Sequence, residues 1–447
     1  MRNGTVKIGI TGLLVAALFA AAMTARARER KTRRVAANKS GEFSTSPGRL
    51  LRVIADQGDI HIFTGNAAAV SYHVHLETSA GDQDAQRILR AYSLSARRNP
   101  NGVELISQSP RLGWGHHLWV TLDVTVPREY NLHLSTSGGN IQIADVQGRV
   151  KATTGGGNIS AGQISGLTSL ITDGGHILVK NVNGDLTART GGGDITVGDV
   201  SGSAILHTSG GHIRVASIDG SGRLETGGGN ISLEHAGAGL VANTGGGEIE
   251  VGEASGLIRA RTGGGGIRVV RSLGPTELDT GAGSVYLMQV QSAVNASTGA
   301  GGITAWFGPN AKLTSACRLA AAEGDINVYL PRKLAVTVDA QVQLGGGHRV
   351  IVDPAFPLKV TYGERDEGNG AVRAEGALNG GGAALVLRTV SGNIRVMLND
   401  AAHERQEMDM LRMQMEKMQR QLEMNLMKLQ LGPRPPIPPR LPNQPED

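Results

Sequence analysis

From Ile141 to Ile303 the chain repeats itself every 18 residues without an insertion or a deletion. The aligned positions are Ile141, Ile159, Ile177, Ile195, Ile213, Ile231, Ile249, Ile267, Val285 and Ile303. A unit this short cannot enclose a core of its own, so it must bury its apolar face against identical neighbours. Other columns keep the same step. Five positions earlier stands a threonine in every repeat, from Thr136 to Thr298, and two positions earlier a glycine, from Gly139 to Gly301.

Within a repeat, a short alternating strand runs into a Gly corner such as Thr190 to Ile195, a second alternating strand follows, and a second turn carries Gly148, Gly166 or Gly184. Stacked at the roughly 4.8 Å spacing of hydrogen-bonded strands, like residues fall on like and form continuous ladders. The expected fold is all-β: a parallel β-solenoid (β-helix) of 18-residue coils, ten of them spanning roughly 45 to 50 Å. Thr190, Gly192, Gly193 and Ile195 are its structural residues. Glycine is expected at the corner because the turn needs either positive φ or close backbone approach. With 65 glycines and only 3% aromatics, the core must be thin and built from Val, Ile, Leu, Ala and Thr.

The flanks divide by composition. Residues 1–27 read as a signal peptide or N-terminal membrane anchor: Arg2 and Lys7, an apolar run from Ile8 to Ala22, then the small-residue string Ala25-Arg26-Ala27. A basic linker, 28–42, puts more positive charge after the apolar run than before it, which opposes export. Residues 43–134 read as degenerate β coils forming an N-terminal cap, with a short helix in "DQDAQRILRAYSL"; 135–310 are the regular array, and 311–398 are irregular coils forming a C-terminal cap. Residues 403–431 then form a Met-rich amphipathic helix whose stripe is Leu411, Met415, Met418, Leu422, Leu426 and Leu429. Self-association through this helix, as a coiled coil, is the expected partner contact, with end-capping or a membrane surface as alternatives. A Pro-rich disordered tail, 432–447, closes the chain.

Charge and motifs exclude several functions. Of the net charge of +5, the first fifty residues carry +8, leaving −3 on the rest, so the body offers no basic face for nucleic acid. Cys317 is the only cysteine, which rules out an internal disulfide and multi-Cys metal sites. The Gly runs open strands rather than helices and are not followed by Lys-Ser/Thr, which excludes phosphate and dinucleotide loops. A calcium β-roll also has 18-residue coils, but it needs Asp at every turn. The column before the aligned Ile holds one Asp, Asp194, and one Glu, Glu248, among its ten residues. In that column His176, Asp194 and His212 stand on successive coils, making a candidate metal or sugar-hydroxyl site against the plainer reading of tolerant turn positions. Trp114, His116, His117 and Trp119 form a second candidate, a ligand-binding patch with rings for sugar stacking, against a packed cap. No cofactor is expected.

"GDIHI" at 58, "LDVTVP" leading into "LSTSGGNIQI", the serial "TGGGxI" corners, "GDINVYLP" and "TVSGNIRV" resemble a bacterial family of β-strand-repeat proteins known as putative adhesins. The resemblance covers about residues 43 to 398 and implies a surface or envelope association, with a cell-envelope glycan or protein as partner. It brings no catalytic residues. A looser resemblance is to the bactofilins, polymer-forming β-helical scaffolds. The expectation is therefore a non-enzymatic envelope protein, exported or membrane-anchored, acting as a scaffold or binding module. Its alternatives are a carbohydrate-active enzyme on a β-helix and a cytoplasmic polymer-forming scaffold.

Overall fold

The computed structural model describes residues 35–79, 82–112, 117–343, 347–363 and 370–399, together with scattered helical residues between 405 and 427. The leader at 1–27, most of the basic linker and the Pro-rich tail lie outside the described residues. Among those described, no helix is long and apolar enough to cross a membrane.

The body is mostly β and consists of two long sheets, to each of which every repeat contributes one strand. In the first sheet, Ile177–Asn183 pairs in parallel with Ile195–Val200, which pairs with Ile213–Ile218, placing Ile177, Ile195 and Ile213 in register. In the second sheet, Leu186–Thr190 pairs in the same way with Ala204–Thr208, placing Thr190 beside Thr208. The offset is 18 in both sheets, so the sequence period is the pairing register. Along each strand the side chains alternate between the faces. The repeat beginning at Ile195 turns Ile195, Val197, Val200, Ala204, Leu206 and Thr208 inward, each fully buried. Branched aliphatic residues fill this narrow interior, and the array needs no aromatic ring until Phe307 at its end.

The threonine column closes the corners. Thr190 Oγ1 donates to the carbonyl of Gly175 in the preceding repeat (2.7 Å) and accepts the N–H of Gly193 in its own (3.2 Å). The same pair of bonds recurs from Thr154 to Thr298. The glycines divide by role. A Cβ on Gly193 would lie 2.2 Å from the Gly175 carbonyl oxygen, whereas one on Gly192 would meet nothing nearer than 3.9 Å. Close approach, rather than positive φ, therefore fixes Gly193, and Gly192 is not required on steric grounds, contrary to the expectation from sequence. Alanines at the equivalent positions 282 and 300 agree with this. Positive φ belongs to the second turn, at Gly148, Gly166 and Gly184.

Both ends are capped by strands that are not in sequence order. Leu50–Ala55 and Asp59–Gly65 stack directly on the array, paired with Asn131–Thr136 and Ile141–Ile143. Outside them the first sheet turns antiparallel, through Leu118–Pro127 and Ala69–Thr78 to an edge strand at Val35–Ser44. Residues 35–42, read from sequence as linker, thus belong to this edge strand, in which Ala37 and Phe43 pack against the core. The expected short helix is Asp82–Ala91, with Ile88 and Leu89 buried. At the far end the register step lengthens: Ile303 pairs with Ile326, and Ile326 with Ile394. The second sheet finishes on the antiparallel strands Val372–Leu378 and Lys359–Tyr362. Short or charged edge strands such as these discourage pairing with other chains.

Cys317 is fully buried, and its thiol is pushed above the usual range by burial, only partly offset by the Val294 N–H. A thiol reagent is expected to leave the native protein unmodified and to titrate one thiol per chain after denaturation.

Candidate functional site

His176, Asp194 and His212 fall on successive repeats, and the structure assigns their contacting atoms a shared task. Each accepts the backbone N–H of the equivalent residue one repeat further on. Asp194 N–H donates to His176 Nδ1 (2.9 Å), His212 N–H to Asp194 Oδ1 (2.8 Å) and Asn230 N–H to His212 Nδ1 (2.9 Å). The ladder starts in the cap, with Asn140 N–H on Asp59 Oδ1, continues with Asn158 N–H on Asn140 Oδ1 and His176 N–H on Asn158 Oδ1, and runs on to Glu248 N–H on Asn230 Oδ1. Asn, Asp and His share an acceptor at the δ position, which explains why the column holds only those residues from 140 to 230, where the ladder runs. With Nδ1 accepting, each neutral imidazole carries its proton on Nε2 and offers no free lone pair outward. Among the described residues, no group of three or more His, Cys, Asp or Glu is placed to hold a metal ion.

Asp194 also pairs through Oδ2 with Arg214 (3.1 Å). Burial alone would raise its carboxyl, but the His212 N–H and the Arg214 guanidinium outweigh that and hold it below its ordinary 3.8. A folded value lowered in this way contributes stability that is complete above the unfolded value and is lost as pH falls through the folded one. Asp194→Asn keeps the ladder acceptor and is expected to cost under about 1 kcal/mol at neutral pH. Asp194→Ala removes the acceptor and is expected to cost about 1–2 kcal/mol. Urea unfolding at several pH values checks both, with the gap between wild type and Asp194→Asn closing below pH 3.8.

Trp114 and His116 lie outside the described residues. His117 tilts against Trp119, with ring centroids 5.8 Å apart, and Trp119 is 43% exposed. This pair belongs to the N-terminal cap. It is four strand spacings, about 19 Å, from the strand that follows His176, so the two candidates do not form one site.

A third site was not found by sequence reasoning. On the outer face of the second sheet, Arg52 stands beside His133, His133 beside Lys151, and Lys151 beside Ser169. Together with Arg149, Asn131 and the apolar Leu50 and Leu167, His133 and Lys151 line an open groove of about 610 Å³. Leu167 is 55% exposed there. Arg52 is neutralised by Glu104 (2.9 Å), which Arg97 also engages. Burial, then Lys151 and Arg52, hold the His133 imidazole below its usual range. Further along the array several neighbouring charges are complementary: Arg259 meets Glu277 at 2.8 Å and Arg268 meets Glu250 at 3.0 Å. In the groove Lys151 and Arg149 have no carboxylate among the lining residues to meet them, an arrangement open to an anion. The sequence did carry a signal, since His133 and Lys151 are one period apart. Arg52 joins them only through the out-of-order stacking of the cap.

No family model and no curated protein sequence matches the chain. Solved structures bearing the adhesin name do align with it. A putative cell adhesion protein from Clostridium sporogenes is 8% identical, with 81% of this chain and 100% of that chain covered and a TM-score of 0.14. A putative adhesin from Parabacteroides distasonis is 12% identical over 65% of this chain and 97% of that chain, at a TM-score of 0.19. A putative lipid binding protein from the same organism is 9% identical over 80% of this chain and 96% of that chain, also at 0.19. The first two carry the name that the motifs suggested. At such TM-scores the functional reading rests on the geometry of this chain alone.

Proposed function

We propose that the two sheets form a β-solenoid that works in the cell envelope as a non-enzymatic scaffold, presenting its N-terminal basic groove to acidic glycans. The observation that carries this reading is the lining of the groove, in which Lys151 and Arg149 stand with the protonatable His133 and no carboxylate is among the lining residues. Exposed Leu167 and half-buried Leu50 supply the apolar floor on which a sugar ring rests, while the cations take its carboxylates or sulfates. An anion brought beside His133 favours its protonated form, so binding takes up a proton and tightens as pH falls from neutral.

A glycan array on the purified body tests this, with a reducing-end assay on every ligand bound. Acidic glycans are expected to bind without turnover, and the double variant Arg149→Glu/Lys151→Glu to lose at least tenfold in affinity, since reversing two charges costs more than about 1.4 kcal/mol. Turnover would replace the reading with the carbohydrate-active enzyme, and undiminished binding by the variant would remove the groove from it. A compartment-sensitive reporter joined after residue 34 tests the envelope location, since an inactive export reporter would favour a cytoplasmic scaffold.

A further inference from the structure

The outer face of the first sheet has a buried strip down its middle. The third residue after each aligned Ile points outward, and along the array this column reads Ala144, Gly162, Lys180, Gly198, Ala216, Glu234, Gly252, Val270, Met288, Trp306. Gly198, Glu234, Gly252, Met288 and Trp306 are buried, and Ala216 and Val270 partly so, although they face away from the core. Ala144, Gly162 and Lys180, on the same face nearer the N-terminus, are partly buried, and none of the three is fully so. No described strand lies over this face.

We propose that the C-terminal helical segment folds back along its own chain and occupies this strip, so that the helix is an intramolecular strap rather than a free association device. Leu422 is only 4% exposed, and Met408 and Leu426 are partly buried. These three fall on one side of a helix of 3.6 residues per turn, while Arg412, Met413, Glu416, Lys417, Arg420, Met424 and, at the rim beside Leu422, Glu423 are exposed. Length agrees. The last strand of the first sheet to precede the segment, Ile394–Leu398, lies eight pairings from Ile195–Val200, about 38 Å by strand spacing. Residues 403 to 427, as a helix, span about 36 Å. The fully buried members of the outward column, from Gly198 to Trp306, all lie on strands within about that reach.

Glu234 marks the meeting point. Its carboxyl is raised first by burial and then by Glu423 and Asp199, against a lowering by His235, so Glu423 of the helix is within electrostatic reach of the strand Ile231–Ala236, beside the buried Leu422. From Ile394–Leu398 to that strand is six pairings, about 29 Å, and from 403 to 422 along a helix is about 28 Å. The small residues Gly198, Ala216 and Gly252 leave room for a helix, and Met288 and Trp306 give it apolar surface.

Disulfide trapping in the full chain tests the strap. Cys317 is buried and does not compete for the new thiols. Glu234→Cys with Glu423→Cys is expected to oxidise within one chain, giving a cyclised monomer on a non-reducing gel, while Glu234→Cys with Met424→Cys, on the exposed side, is not. A cross-linked dimer would mean that a second copy's helix occupies the strip, and no cross-link would mean that the strip is open; either overturns the proposal. Met288→Arg, which alters only the outer face, is expected to speed tryptic cleavage at Arg412 and Lys417 at least tenfold by raising the lifted population, with the melting of the body unchanged. Cleavage at the wild-type rate would also overturn it.

Discussion

Gly193→Ala is expected to destabilise the protein by about 3 kcal/mol or more, while Gly192→Ala, one residue earlier in the same corner, is neutral or stabilising by up to about 1 kcal/mol. The contrast follows from what each added methyl meets. At Gly193 it would sit 2.2 Å from the Gly175 carbonyl oxygen, 2.5 Å from that carbonyl carbon and 2.8 Å from the His176 nitrogen. All three are backbone atoms held in the ladders, so relief requires two repeats to move apart and their strand bonds to lengthen. At Gly192 the methyl points to open space, and the lost glycine flexibility is a cost removed from the unfolded chain. Guanidinium unfolding of the pair checks this. Equal midpoints for the two variants would contradict the assignment of the corner to close backbone approach.

Thr190→Val is expected to cost about 2–4 kcal/mol, against less than about 1.5 kcal/mol for Thr190→Ser. Valine fills the same volume, so the loss comes from hydrogen bonding. The Gly175 carbonyl and the Gly193 N–H, both in the buried corner, each lose their bond to the hydroxyl. Leaving a buried group unpaired costs more than the bond contributes when made. Serine restores the hydroxyl and gives up only a methyl. The same readout applies, with Thr244→Val as a second site bearing the same two bonds. A Thr190→Val variant as stable as wild type would place the threonine column's value in β propensity instead.

The two variants act at one point of the structure. The Thr190 hydroxyl holds the Gly175 carbonyl, and that carbonyl is the atom that excludes a side chain at Gly193. The threonine and the third glycine are therefore two halves of one device, which explains why those two columns never vary over ten repeats while the middle glycine does.

The turn column shows how far sequence reasoning reached toward a site. Spacing alone placed His176, Asp194 and His212 in a line, and they do stand on successive repeats. Their roles were not legible, because the deciding partner of each is a backbone N–H one repeat away, which has no identity in the sequence. The basic groove was half legible. His133 and Lys151 share the period, but Arg52 and Leu50 reach them only because the strand Leu50–Ala55 stacks directly on Asn131–Thr136, with more than seventy intervening residues folded outward as the cap.

The sequence by itself determined the period, the register and the interior columns. A strict 18-residue step with one β-branched residue and one obligatory glycine admits a single way of stacking, since a shift of one residue would turn every inward side chain out. Tertiary structure alone decided the order of the cap strands, the joining of Arg52 and Leu50 to the basic groove on the second sheet and the buried strip on the first. These depend on which outward faces come together after the sheets have formed, and outward positions carry no period to constrain them.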